Sequence, residues 1–355
     1  MSQAFILIPG ARLPADAAAG VLASLAPDES DALAQIGLGC GEAHAQRLGT
    51  AAFARAPHLV WLWSVLTRRA LPPREAPWRW LALGARELAP EMWALEPYRL
   101  DAEGRAAPEA PVLTDEDFFA LTAAIEPVFA KRGFRFQIWD TKWFLTRAED
   151  WPAVCEPRMA ATGKKPAQFV IEGEAAESTR EMLAEADAAL RARPEAARLG
   201  IAGLWLWGGG HEMLFFPPTL VRSVACDDPA VIGWANAAGI LKQYLGPDAG
   251  RWPEAPEGDA VAVIGDLYPA WLAGDWARWK AALPAAAAKM ASYRAAAEAR
   301  SSEAFVPVLF GHGGAATLSP AKSTLASRLF GHRRKASLPA SAWCPDLYDE
   351  GNSPA

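Results

Sequence analysis

The chain has 355 residues, 52% of them hydrophobic, enough for one large α/β unit with an annex or for two domains, and too apolar for wholesale disorder. Its 35 Lys and Arg against 41 Asp and Glu leave a net charge of −6. That balance argues against nucleic acid as a primary partner, because a binder of the phosphate backbone presents a basic face.

Phe5–Ile8 is a compact apolar run closed by Pro9-Gly10 and reads as a buried first strand. No basic region precedes it, and it is too short for a signal peptide. Nowhere does the chain approach the ~20 apolar residues of a membrane span. A cytoplasmic protein with no membrane partner is the expectation. Residues 14–26 and 41–69 carry helical spacing, with Leu59, Leu62, Trp63 and Leu66 on one face, and Pro72-Pro73 ends the second helix. Trp78–Leu83 (WRWLAL) reads as a second strand. Thr114 is an N-cap with Asp117 at the third position, and Gly133 stops the helix it starts. Phe134–Trp139 and Lys142–Thr146 read as a hairpin across Asp140-Thr141. The first division of the chain is placed at residues 1–160.

Within 161–335, Gly163–Pro166 is a loop and Glu177–Arg193 a charged helix closed by Pro194. Ile201–Trp207 is a strand that runs into Gly208, Gly209 and Gly210 as a tight loop. Thr219–Ala225 is a strand, Asp227-Asp228-Pro229 a turn, Ala230–Leu245 a helix, Ala260–Ile264 a strand, Ala270–Ala299 mostly helix and Val306–Phe310 a last strand. Residues 336–355 read as a frayed tail. Strands alternate with helices, and several are apolar along their whole length. The fold class is therefore α/β, with a mostly parallel, doubly wound sheet and ligands at the strand C-terminal ends.

The glycine triplet with His211 is the sharpest local feature. It is either a plain turn or a backbone cradle for an anion. Asp227 and Asp228 are either a helix cap or a coupled carboxylate pair. The candidate ligand-binding set is thus Gly208, Gly209, Gly210, His211, Asp227 and Asp228. Trp271, Trp276 and Trp279 fall near helical spacing, as core or as a stripe for a protein partner. Cys40, Cys155, Cys226 and Cys344 are too far apart for a disulfide framework or a clustered zinc site. The five histidines form no HxH, HxxxH or DH pair. There is no GxSxG elbow and no Walker loop.

Residues 201–240, with Leu204–Gly210 (LWLWGGG), the Asp227–Pro229 turn, the Gly233/Gly239 helix pattern and the later Asp266-Leu267, Gly274-Asp275 and Trp279, carry a family resemblance. They are similar to a proteobacterial group known as phosphoglycerate-mutase-like proteins or regulatory proteins of the rpf-E type. More distantly, they resemble the archaeal-type, metal-dependent, cofactor-independent phosphoglycerate mutases. The resemblance is good over roughly 200–280 and weak elsewhere, although Phe5–Ala11 fits the opening strand. It implies an alkaline-phosphatase-like sheet, here reduced and with helical N-terminal additions.

It also implies two metals held by Asp and His, and these positions depart from the pattern. Pro9-Gly10 stands where the mutases carry an Asp-Gly pair. Tyr268 and Leu272 stand where they carry an Asp and a His. Neither side chain ligates a divalent ion of this kind. His312 lacks a neighbouring Asp. The expectation is a degenerate, regulatory or ligand-binding relative with no catalytic residue, no metal and no cofactor, taking a small anionic or phosphorylated ligand. An active mutase or phosphatase and an interaction module using the helix near 271–279 are the alternatives.

Overall fold

In the computed structural model, Ser2–Ile8 (β1) is the central strand of a seven-stranded sheet. The description covers residues 2–68, 73–85, 89, 91–211, 220–243, 258–299, 303–320 and 340–344. β1 is parallel to β11 (Asp259–Val263) on one side and to β12 (Glu303–Gly311) on the other. β9 (Val221–Ala225) and β10 (Leu241–Gln243) continue the parallel part beyond β11. β13 (Gly314–Pro320) and β2 (Cys40–Arg47) close the other edge with antiparallel pairing. The order is β10-β9-β11-β1-β12-β13-β2.

β1 is apolar from Ala4 to Ile8 because both its faces are covered there. Ile6 and Ile8 pack toward α1 (Ala15–Ala23), α2 (Pro27–Ile36) and α11 (Trp276–Ala299). Leu7 packs toward α3 (Pro57–Thr67), α4 (Ala76–Ala82) and α9 (Pro229–Ala237). The result is a mixed α/β layering with a mainly parallel central sheet, as expected.

A second sheet, wholly antiparallel, has the order β4-β5-β3-β8. It is built from β3 (Glu91–Tyr98), β4 (Arg135–Trp139), β5 (Lys142–Arg147) and β8 (Gly203–His211). It shares a core with α5 (Asp115–Ala130), α7 (Ala176–Arg191) and α8 (Pro194–Leu199). The small elements β6 (Val154–Cys155), α6 (Arg158–Ala161) and β7 (Ile171–Glu172) lie between β5 and α7. The sheets do not divide at residue 160. The large one takes β1 and β2 from the start of the chain and β9–β13 from its end, and the middle of the chain forms the small one.

Several expected elements differ. Residues 41–69 are not one helix: β2 occupies the first part and α3 the last. β2 is an exposed edge strand of mostly polar residues, so it lacks the apolar alternation that marks a strand. Trp78–Leu83 lies mostly in α4 and is not a strand. Pro77 stands in the first turn, where a missing N–H costs nothing. Pro194 closes α7 and also opens α8. α9 ends at Ala237, ahead of Gly239 at φ +66°, so Ala230–Leu245 is not one helix. Gly274, also at φ +66°, separates α10 (Tyr268–Ala273) from α11. Of the tail, Ala340–Trp343 (α12) packs inward, with the Trp343 carbonyl accepting from Leu13 N at 2.7 Å. The rest of the tail, like Arg333-Arg334-Lys335, lies outside the described residues. No helix among the described residues is long and apolar enough to cross a membrane.

Candidate functional site

β8 reads GLWLWGGGH, and its tryptophans bind it to both parts of the molecule. Trp205 Nε1 donates to the Glu156 carbonyl at 2.9 Å, and the Arg79 guanidinium lies 4.6 Å from the centre of the Trp207 ring. The glycines continue this strand and do not form the tight loop expected of them. Trp207 pairs with Ala94 and Gly210 with Met92, so Gly208 and Gly209 together oppose Trp93 alone. That is a β-bulge, and Gly208 sits in it at φ +62°.

The reason for three glycines is close approach. A Cβ on Gly209 would stand 1.7 Å from a ring atom of Trp93. On Gly208 it would stand 3.2 Å from Ala76 N and from Glu75 Cβ, and on Gly210 2.6 Å from Arg74 Nη1. The indole, the first turn of α4 and a guanidinium are thereby brought against one strand.

Trp93 in turn organises a buried carboxyl. Its Nε1 donates to Glu91 Oε1 at 2.6 Å, and the Trp151 amide donates to the same oxygen at 3.4 Å. Glu91 is fully buried, and its Oε2 has no hydrogen-bond partner. Burial pushes the carboxyl up to about 7. The two donors and the Arg74 charge oppose that shift, while the nearby Asp150 charge adds to it.

Beside these groups lies an open cavity of about 340 Å³. Gly208–Gly210 form one wall and Asp150–Cys155 another. Phe53, Pro73, Arg74, Gly173 and Glu174 complete it. The Trp151 ring is held by its own Nε1, which donates to Thr179 Oγ1 at 2.9 Å.

Of the expected site residues whose side chains are described, only the glycines line this cavity. His211 ends β8, and its side chain lies outside the described residues. Asp228 caps α9, with Oδ1 accepting from Ala230 N at 2.8 Å, and the same oxygen lies 3.5 Å from Arg79 Nη2. Neither Asp227 nor Asp228 lines the cavity. The two regions meet through Arg79, which touches both Trp207 and Asp228, and through Glu75, which backs onto Gly208 and is 2% exposed. Burial raises the Glu75 carboxyl, the Asp228 charge raises it further, and Arg79 partly compensates. Trp271 and Trp279 are core residues, their indole N–H groups donating to the Arg12 and Gly10 carbonyls at 2.8 Å. A partner on this helix would therefore meet Trp276 and not these two.

Sequence reasoning missed Arg74, Glu91, Asp150 and Glu174. The available signal was Pro77, which marks a helix start just after Arg74-Glu75. Glu91 carries no local signal.

The positions at which the resemblance implies metal ligands do not suit metals. Tyr268 is buried, its hydroxyl donating to the Arg55 carbonyl at 2.9 Å, and Leu272 is buried beside it in α10. At the parallel strand ends, Asp228 is engaged as above, and Asp266 accepts from Lys289 Nζ at 2.9 and 3.0 Å. His58 is buried against Tyr268 and Phe310, and burial lowers its imidazole to about 3, so it is neutral. Among the described residues no three His, Cys, Asp or Glu side chains converge as a metal site requires.

No family model and no curated protein matches the chain. Solved structures similar to it include a cofactor-independent phosphoglycerate mutase from Thermoplasma acidophilum DSM 1728, with TM-score 0.42 and 12% identity over 97% of this chain and 98% of that one. Another is the PH0037 protein from Pyrococcus horikoshii, with TM-score 0.45 and 13% identity over 89% of this chain and 86% of that one.

Proposed function

We propose that this protein is a degenerate, phosphoglycerate-mutase-like scaffold of reduced alkaline-phosphatase type that binds a small molecule and does not transfer phosphate. Its role is regulatory or ligand-binding. The observation that carries this reading is the cavity of about 340 Å³, which combines a guanidinium, a held indole and a strand stripped of side chains. Its size falls in the range of small-molecule sites.

Two observations support the absence of phosphotransfer. Pro9, Tyr268 and Leu272 occupy positions where the resemblance implies ligands, and the carboxylates at the parallel strand ends are committed to Lys289, to Arg79 and to a helix cap. Two-metal chemistry needs several free carboxylates and imidazoles facing one substrate oxygen.

Metal analysis of the purified chain, with a phosphoglycerate isomerisation assay in added Mn²⁺, tests this. The expected result is neither stoichiometric metal nor turnover. Clear turnover would replace this reading with that of an active mutase.

A further inference from the structure

We infer that β4 pairs with β4 of a second copy of this chain, antiparallel about a two-fold axis at Gln137, so that the small sheets of the two copies run on into one. This goes beyond the binding role proposed above and does not depend on it.

β4 ends its sheet, and among the described residues no strand pairs with its far side. The hairpin decides which groups that side presents. Trp139 and Lys142 flank a two-residue turn, so they form a hydrogen-bonded pair, and the two kinds of pair alternate from there. Arg135, Gln137 and Trp139 therefore turn their amides and carbonyls toward β5. Phe136 and Ile138 turn theirs outward.

Natural sheet edges are blunted by charge, by lysine or by proline. β2, the edge of the large sheet, follows that rule with exposed and mostly polar residues. β4 reads RFQIW, with neither lysine nor proline, and every residue but Phe136 is exposed. Ile138 and Trp139 are 40% and 39% exposed. Both large side chains of the outer half are thus left on an open edge.

The strand complements itself when turned end for end. With the axis at Gln137, Phe136 of each copy stands opposite Ile138 of the other, and Arg135 opposite Trp139. The Phe136–Ile138 pairs carry the outward groups, so they exchange main-chain hydrogen bonds, and they set a ring against a β-branched side chain. Arg135 and Trp139 meet in the closer, non-hydrogen-bonded pairs, a guanidinium against an indole. The Asp140 carboxylate, 3.4 Å from Lys142 Nζ, follows Trp139 and offers the arriving Arg135 an opposite charge. Only this axis uses all five residues of the strand. Moving it to Phe136 or Ile138 takes one end of each strand out of the ladder. A self-complementary patch of this kind is what a two-fold dimer requires.

The side chains concerned are already braced. The Trp139 ring lies 5.6 Å from that of Trp80, and the Phe136 ring lies 5.6 Å from that of Phe129. Little ordering is left for association to impose. A strand this short makes a small interface, so the dimer is weak and depends on concentration.

The test uses the full chain. Sedimentation across about 1–500 µM should show the mean mass rising from monomer toward dimer. Ile138→Lys, at an exposed position, should weaken that association by about tenfold or more, with an unchanged thermal midpoint at low concentration. Gln137→Cys puts two thiols on the axis at a Cα separation of about 4.5 Å, within reach of a disulfide. The four native cysteines are buried and do not compete. In oxidised glutathione, Gln137→Cys should cross-link about tenfold or more faster than Lys142→Cys, which is exposed on the neighbouring strand.

A monomer throughout the concentration range overturns the inference. A dimer that survives Ile138→Lys overturns it too, since the contact then lies elsewhere. So does a Gln137→Cys cross-link no faster than that of Lys142→Cys, and this last measurement decides even where Ile138→Lys fails to fold.

Discussion

The guanidinium of Arg74 rests where a side chain on Gly210 would begin: a Cβ there would lie 2.6 Å from Nη1. Arg74 is therefore placed by the absence of a side chain as much as by the presence of a partner. The clashing atoms are the far end of a flexible chain, so Gly210→Ala displaces the guanidinium at little steric cost. Its stability penalty comes mainly from φ +131° at Gly210, a region closed to alanine, and amounts to about 1–2 kcal/mol. Because the two residues touch, Arg74→Ala and Gly210→Ala should not add in unfolding free energy: the double variant should lose less than the sum by about 0.5 kcal/mol or more in urea unfolding. Additive losses would show that the guanidinium does not rest on Gly210.

Gly209 faces a different neighbour. Trp93 is fully buried and locked by its bond to Glu91, so it cannot swing away from a new methyl group. Gly209→Ala should cost about 3 kcal/mol or more in urea unfolding, at the upper end of overpacking penalties. Gly265 serves as the control. A Cβ there meets nothing within 4 Å and its φ is not in the left-handed region, so Gly265→Ala should be neutral within about 0.5 kcal/mol.

The contrast between these glycines shows how far the chain can be read residue by residue. The Thr114 cap and Gly133 stop of α5, the apolar β1, the hairpin and the Asp228 cap are visible in sequence because their causes lie within a few residues. The glycine triplet is visible as a singular feature, but its cause is not. Glycine read locally means a turn. Here it means that Trp93, Glu75 and Arg74, all from other elements, must touch a strand. α4 is misread because Trp78–Leu83, apart from Arg79, is an apolar run of strand length. The cavity combines residues from the approach to α4, from the segment after β5, from the loop after β7 and from β8. No spacing rule links those segments, so Arg74, Asp150 and Glu174 surface only when the sheet is assembled. The polarity of edge strand β2 hides it in the same way.

Glu91 makes stability depend on pH. Its folded carboxyl titrates at about 7 against an ordinary value of 4.5, so between those values the folded state holds a proton that the unfolded state has released. Stability therefore falls as pH rises through this window and levels off above about 7, by about 3 kcal/mol in all. Glu75 and Asp187, raised by burial as well, contribute slopes of the same sign. Glu91→Gln keeps an acceptor for Trp93 and removes the titration. The variant should match the parent near pH 5, exceed it in unfolding free energy at pH 8, and retain only the slope left by the other two carboxyls. Parallel curves for parent and variant from pH 5 to 8 would place the titration elsewhere.

Asp228 has two functions that substitution separates. Its Oδ1 caps α9 through Ala230 N and also faces Arg79. Asn keeps the cap, since its amide oxygen accepts the same bond, and removes the charge. Asp228→Ala should cost about 1 kcal/mol more than Asp228→Asn, the usual worth of an N-cap. Losing the charge carries its own consequence, because Asp228 raises the buried Glu75 carboxyl. Without it Glu75 ionises more readily and pairs with Arg79, so Asp228→Asn should shrink the part of the pH slope that persists in Glu91→Gln. Equal losses in the Asn and Ala variants would remove the cap from the account.

The hairpin turn between β4 and β5 carries strain that a substitution can release. Asp140 and Thr141 both have positive φ, +48° and +54°. Two left-handed residues match the right-handed twist of the flanking strands, which is why tight hairpins favour Asn-Gly here. Asp tolerates this region, but a β-branched threonine does not. Its hydroxyl reaches only the Asp140 carbonyl, at 2.8 Å in an exposed position, which is weak compensation. Thr141→Gly removes about 1–2 kcal/mol of backbone strain and returns about 0.5–1 kcal/mol as unfolded-chain entropy. The net gain should be about 0.5–1 kcal/mol, read as a raised midpoint in thermal unfolding. Asp140→Asn added to it should contribute a few tenths of a kcal/mol more. A lowered midpoint in Thr141→Gly would mean that the threonine stabilises this turn in a way that its backbone angles do not reveal.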